Sequence, residues 1–190
     1  MRLVGRGVWV GRMMIERVVP SLTADKGSRA RGSMIGPPAL LLAWALHDIE
    51  EAIAFPSFCD ELAERTGVAA LRMDARQSWA AVGLMGILIT AACCRGYRSR
   101  GRSRLYRAVL AGLEAHIGTH VGASVIQRGY SAGVATVLPI MLPGVLLARR
   151  ELARAGTPLA GHDRVRGAMV LVPAALVVHV LARTVPPRHG

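Results

Sequence analysis

Large aromatic side chains are scarce in this sequence, Phe, Trp and Tyr together making up 4% of it, so a core assembled around rings is not available. Cysteine is scarcer still. Cys59, Cys93 and Cys94 are odd in number, two are adjacent, and no Cys-x-x-Cys spacing occurs. A disulfide framework and a zinc knuckle are therefore excluded, and Cys93 and Cys94 read as small packing residues. Acids are few beside bases, 12 against 24, for a formal net charge of +12. Such an excess would suit nucleic acid if it lined the polar faces of amphipathic helices. Instead the arginines avoid the apolar stretches and crowd the gaps between them, as orientation in a bilayer requires. That pattern argues against a nucleic-acid partner.

What the sequence does have is apolar length. Hydrophobic residues make up 52% of its 190 residues and the mean hydropathy is +0.37. They fall in five blocks: Ile35 to Phe58, entered through Pro37 and Pro38, then Trp79 to Cys94, Leu105 to Ile126, Tyr130 to Ala148, and Val165 to Ala182. Each is about as long as a bilayer-spanning helix, which needs roughly 17–25 residues. The blocks are too long and too little alternating for strands, and helices satisfy their own backbone groups in lipid. The expected fold is all-α, a polytopic transmembrane bundle of about five helices. Pro139 and Pro143 should kink the fourth block, and Gly133 and Gly144 permit close helix approach. No internal repeat stands out.

Residues 1–33 read as a basic, poorly ordered tail with no apolar run of signal-peptide length. Met34 directly precedes the first block and is a candidate start for the working protein. Residues 34–183 then form the transmembrane domain and 184–190 a short tail. With the N-terminus inside, the tail holds seven Lys and Arg, the stretch Arg95–Arg107 six, and Arg149–Arg166 five. The opposite side holds Arg65, Arg72, Arg76, Arg128, Arg183 and Arg188. Eighteen against six, or eleven against six without the tail, predicts a multi-pass protein of the cell (inner) membrane with a cytoplasmic N-terminus.

The first block is interrupted by His47-Asp48-Ile49-Glu50-Glu51. Positions 47, 50 and 51 share one helix face at i, i+3 and i+4, with Asp48 off it. No Lys or Arg in the block can pair with these acids. An ionised acid near a bilayer centre costs on the order of 2.5–3.5 kcal/mol, to be offset by protons, water, partner residues or a metal. The third block offers partners: His116 and His120 stand at i, i+4, a spacing that aims two imidazoles at one point. The fifth adds His179. Blocks one, three and five run in the same direction, and these residues lie roughly 11–16 positions from the inner ends of their blocks, so the groups can meet at one level. Glu114 points elsewhere, His162 and His189 read as solvated, and His179 alone would also fit a structural role.

At these residues the sequence resembles the HXXEE domain family, small bacterial membrane proteins named for the motif. His47-Asp48-Ile49-Glu50-Glu51 matches it, Phe55-Pro56 follows as such a pair often does there, and His116 and His120 continue the match. Tyr130-Ser131-Ala132-Gly133 is similar to the family's Tyr-Thr-Pro-Gly stretch, departing from it at Ser131 and Ala132. The resemblance covers roughly residues 39–182. It implies a membrane protein of unestablished function and supplies no reaction.

Other intramembrane chemistries fail on the residues. His116-Ile-Gly-Thr-His120 has the zincin spacing without the Glu of HExxH. The CAAX-protease-like pattern needs Arg where Phe55 stands, and six histidines are too few for a desaturase. Three readings stay open. The first is a membrane-embedded metal-dependent enzyme, hydrolytic or oxidative, on a lipid-soluble substrate. His47, Glu50, His116 and His120, with His179 as a further candidate, would ligate a divalent Zn, Fe or Mn ion. Glu51, and Asp48 beside it, would act as acid–base groups, Glu51 activating water. The second is an ion or proton relay, which in so small a chain would call for a homo-oligomer. The third is a non-catalytic scaffold, where interhelical hydrogen bonds of about 0.6 kcal/mol would poorly offset so many buried ionisable groups.

Overall fold

The computed structural model describes residues 33–186. The expectations for the basic tail up to residue 32, and for His189, lie outside the described residues. Within them the chain is helical throughout, with no strand. Helix α1 spans Gly36–Thr66, a single-turn 3-10 helix follows at Ala69–Leu71, α2 spans Ala75–Arg98 and α3 Arg104–Gln127. A short α4 (Val134–Thr136), a π-helical stretch (Val137–Met141) and α5 (Leu142–Arg154) follow one another without a break and act as one rod. Helix α6, Gly161–Ala182, ends the bundle. The five apolar blocks thus become five helical rods, each running beyond its block into flanking polar sequence.

Local chemistry sets the ends. Pro37 and Pro38 occupy the first turn of α1, where a missing N–H costs nothing. Asp74 caps α2 through a reciprocal box, accepting from Gln77 N–H at 2.8 Å while Gln77 Oε1 accepts from Asp74 N–H at 3.2 Å. Ser103 caps α3. Asp163 closes the start of α6 by accepting from Ala160 N–H at 3.0 Å, and its carboxylate also receives Arg107 at 2.7 Å. Arg107 donates further to the carbonyls of Thr157 and Pro158, so a buried ion pair fastens the α5–α6 connection to the first turn of α3. The prolines of the fourth block divide their work. Pro139 sits in the π stretch, where the regular ladder has already given way, and Pro143 in the first turn of α5.

Helix α1 packs on α2 and on the α4–α5 rod, and α3 packs on α6. The main core joins Leu40 and Trp44 of α1, Ile89 and Cys93 of α2, Tyr106, Leu110 and Leu113 of α3, and Met141, Val145 and Leu152 of the fourth rod. Cys59, Cys93 and Cys94 are all free thiols. Cys59 is buried and Cys93 packs in the main core, whereas Cys94 is exposed. Small residues set the helix crossings. Gly144 lies against Ala43, and Gly167 lies on Gly112, so close that a Cβ at 167 would stand 2.6 Å from the Ala108 carbonyl oxygen.

Three helices, α2, α3 and α6, are long and apolar enough to cross a membrane by length and composition. Helix α1 fails that test because any stretch of the required length takes in Glu50 and Glu51 with at least one further charge. The fourth rod fails because its α-helical part is 13 residues long beyond the π stretch. The distribution of polarity is inverted relative to a water-soluble domain. His47, Asp48 and His120 are buried, while Leu42, Leu46, Ile49 and Ile53 form an exposed strip along α1, and Met169, Val172, Leu176 and Val180 another along α6.

The Gly112–Gly167 crossing gives a stability test. A Cβ at 167 meets backbone on every side, which has no rotamer to escape into, whereas one at Gly118 meets nothing within 4 Å. Gly167→Ala should lower stability by about 1–3 kcal/mol, the usual cost of overpacking. Gly118→Ala should be neutral or raise stability by up to about 1 kcal/mol through helix propensity. Thermal unfolding of the two variants in detergent measures the difference.

Candidate metal centre

Two helices and one turn build the site. The middle of α1 supplies His47, Asp48, Glu50 and Glu51, and one turn of α3 supplies His116 and His120. The turn between α3 and α4, residues 130–133, together with Thr136, closes over them. Gly133 makes that turn possible in two ways. Its φ of 87° is the left-handed region, and a Cβ there would lie 2.7 Å from His47 Cε1 and 2.8 Å from His120 Cε1.

The helical spacings act as anticipated for both histidines of α3. His116 Nε2 and His120 Nε2 are 2.9 Å apart, and Glu51 Oε1 lies 3.1 Å from His120 Nε2 and 4.0 Å from His116 Nε2. The His47 ring stands edge-on to both, with centroids 4.9 Å from His120 and 5.5 Å from His116. One ligand atom from each of His47, Glu51, His116 and His120 lies within 4.8 Å of all the others.

Hydrogen bonds on the far sides of the rings determine which nitrogens face inward. Thr136 Oγ1 donates to Glu50 Oε2 at 2.5 Å, so that hydroxyl has only lone pairs left for His47 Nδ1, 2.9 Å away. His47 must therefore carry its proton on Nδ1 and present a bare Nε2. That Nε2 is buried without a hydrogen-bond partner. His120 is set in the same way, since its Nδ1 faces the Ala132 carbonyl at 2.8 Å and can only donate to it. Its Nε2 then faces Glu51 Oε1 and His116 Nε2, donating to the carboxylate when protonated and offering a lone pair when not. An outer partner that holds an imidazole in one tautomer is what metal-ligating histidines characteristically have.

Glu50 stands outside this group. Its carboxylate accepts from Tyr130 Oη at 2.6 Å, from the backbone N–H groups of Ala135 at 3.2 Å and Thr136 at 2.8 Å, and from Thr136 Oγ1. It closes the N-terminal end of the fourth rod, where free N–H groups and the helix dipole both favour an anion. Asp48 is buried, has an unpartnered Oδ1, and lines a cavity beside the cluster rather than joining it. His179 also lines that cavity, but its Nδ1 is taken by the Ala175 carbonyl at 2.8 Å and its ring lies edge-on to Phe55. Glu114 turns away to pair with Arg149. Of the residues singled out in the sequence, the fold brings together His47, Glu51, His116 and His120. It places Glu50, Asp48 and His179 around them.

The donor set fits a divalent ion. Zinc–nitrogen bonds of about 2.0–2.1 Å put tetrahedral ligand atoms roughly 3.4 Å apart. The separations here, 2.9, 3.1 and 4.0 Å, bracket that figure. Three imidazoles and one carboxylate suit zinc, iron or manganese. Thr136 was not anticipated from the sequence, and the Tyr130–Gly133 stretch was marked there for its family resemblance and for close helix approach at Gly133, not as the support behind the rings. The available signal was a single Thr three residues beyond Gly133 in an otherwise apolar run.

Fold and site together define a helical bundle with a histidine–carboxylate centre between its helices. The chain belongs to the HXXEE family: residues 39–148 match the family model described as a protein of unknown function with HXXEE motif. That span holds all four clustered donors and the turn that orients them, and it ends before α6 and His179. No curated protein and no solved structure matches the chain.

Thr136 provides a test of the orienting contacts. Thr136→Val keeps the side-chain shape but strands His47 Nδ1–H and removes one donor from Glu50. The expected loss of stability is about 1–3 kcal/mol, the penalty for an unsatisfied buried group. Nitrogen NMR of His47 should show the tautomer preference lost in Thr136→Val and restored in Thr136→Ser.

Proposed function

We propose that this chain is a multi-pass membrane protein that holds a divalent metal ion through His47, Glu51, His116 and His120, and is a metal-dependent enzyme, hydrolytic or oxidative. The observation that carries the reading is the convergence of four ligand atoms, with two imidazoles held from behind through Nδ1 so that their Nε2 atoms face inward. Zinc, iron and manganese are the ions the donor set favours. A metal bound there would supply Lewis acidity.

The roles of the two glutamates follow from their neighbours. Glu51 is a ligand because its carboxylate faces two imidazole nitrogens. Glu50 is a positioning residue, since four hydrogen bonds already occupy it and it reaches the cluster only through Thr136 and His47. Asp48 is the acid–base group, being a carboxylate on the cavity wall that no ligand position claims. The membrane reading is supported by the three apolar helices, the buried polar groups and the apolar outer strips. The excess of arginine in the Arg95–Arg107 and Arg149–Arg166 stretches supports a cytoplasmic N-terminus in the cell's inner membrane.

Metal analysis of detergent-purified protein tests the centre. About one equivalent per chain is expected in the parent, little in His120→Ala and Glu51→Ala, and a reduced but measurable amount in Glu50→Gln. Helical content by circular dichroism should be unchanged in variants scored as metal-free. A folded parent that takes up no zinc, iron or manganese would refute the metal reading and turn attention to a proton relay through the same groups.

A further inference from the structure

Beside the donor cluster lies a cavity of about 390 Å³ between α1, α2, α3 and α6. Its volume falls within the roughly 300–1,000 Å³ of ligand sites. Its shape follows from how α6 is held. At one end the Gly112–Gly167 contact brings α6 directly onto α3. At the other, Ala182 packs into a small core with Cys59, Met73 and Ala81, and Gln77 Nε2 donates to the Val185 carbonyl. Between these two contacts α6 lines the cavity with Ala168, Leu171, Val172, Ala175 and Val178.

The wall extends along α1 from Trp44 to Phe55, roughly 16 Å at 1.5 Å per residue. It is almost wholly apolar. Three polar residues gather part-way along, Asp48, Glu51 and His116; Thr119 also lines it on α3, and Ser78 and His179 line it as well, His179 against Phe55 with its Nδ1 already held by the Ala175 carbonyl. Asp48 is a 5% exposed carboxylate on this wall, and its Oδ1 is buried without a partner within the protein. Two of the four clustered donors, Glu51 and His116, face the same space, while His47 and His120 do not. The cavity also has a side opening. Ala115 and Thr119 on α3, and Ala168 and Val172 on α6, belong to its wall and are exposed on the outer surface.

We infer that the cavity binds one linear hydrocarbon chain, taken laterally from the bilayer between α3 and α6, that carries a hydroxyl or amide N–H part-way along its length. The chain lies beside α1, its polar group hydrogen-bonds Asp48, and the adjoining carbons face Glu51 and His116. The predominance of apolar wall to either side of the Asp48 patch favours a group with hydrocarbon on each side over one at a chain end. The proposal rests on the membrane and metal-centre reading for its functional meaning, but binding itself needs no metal.

Trp44 is a built-in reporter, buried on the cavity wall. In a Trp9→Phe/Trp79→Phe background, two bromine-labelled quenchers that differ by one mid-chain hydroxyl can be compared: brominated methyl oleate and brominated methyl ricinoleate. Both should quench Trp44 saturably, the hydroxylated ester with roughly three- to tenfold higher affinity, as one hydrogen bond allows. Asp48→Val should abolish that preference and Asp48→Asn retain it. Ala175→Phe, which fills the cavity, should weaken quenching by both at least tenfold. Val177→Phe, the same bulk on the exposed face of α6, should not. Equal affinity of the two esters, or quenching insensitive to Ala175→Phe, would overturn the proposal. Repeating the titration in His120→Ala separates the two readings: quenching persists there if the cavity binds chains, whether or not a metal is ever bound.

Discussion

The arrangement depends on where the Glu50 carboxylate finds its hydrogen bonds. A carboxylate on an apolar helix is costly to bury unless donors surround it. Here the donors are Tyr130 and the first N–H groups of the fourth rod. Satisfying Glu50 brings that helix end against the middle of α1. With it come Thr136 beside His47 and the Ala132 carbonyl beside His120. The chain needs a left-handed residue at 133 to reach this position, and only glycine leaves room for two imidazole rings. One anion therefore determines the turn, and the turn determines which nitrogens of His47 and His120 face inward.

The same economy explains how a bundle with buried acids holds together. Many polar groups on the inner faces are engaged, around Glu50 or in the Arg107–Asp163 pair, with His47 Nε2 and Asp48 Oδ1 left unpartnered, and the outer faces carry leucine, isoleucine and valine. Helix contacts rely on close backbone approach at Gly112, Gly144 and Gly167 more than on large interlocking side chains. That agrees with a sequence poor in aromatic residues.

The family match runs through the donors and their orienting turn and stops short of α6. In this chain α6 forms one wall of the cavity, so the centre and the space it faces come from different parts of the sequence. In the function proposed above, the matched portion supplies the chemistry and α6 helps to shape what can approach it. Glu51 and His116 are the two residues that belong to both.

Sequence by itself determined the helical class, the number of rods and two of the segments that carry the polar site, the first and third blocks, to which it added His179 of the fifth. These are properties of local pattern: apolar length, the i, i+4 spacing of His116 and His120, and the break in the first block at His47 to Glu51. It put Glu50 among the ligands and Glu51 as the base, whereas Glu51 stands with the histidines, because adjacent positions on a helix differ by only about 100° and the period alone does not say which one turns to a neighbouring helix. Tertiary structure decided between them by placing the fourth rod's N-terminus over Glu50 and leaving Glu51 facing α3. It also turned Glu114 outward to Arg149, set His179 against Phe55, and assigned Thr136 and Gly133 parts that composition does not reveal. The reason is that a residue's neighbours along a helix are set by its period, whereas its neighbours across helices depend on how the rods rotate and cross, and in this chain glycines and one buried carboxylate control that.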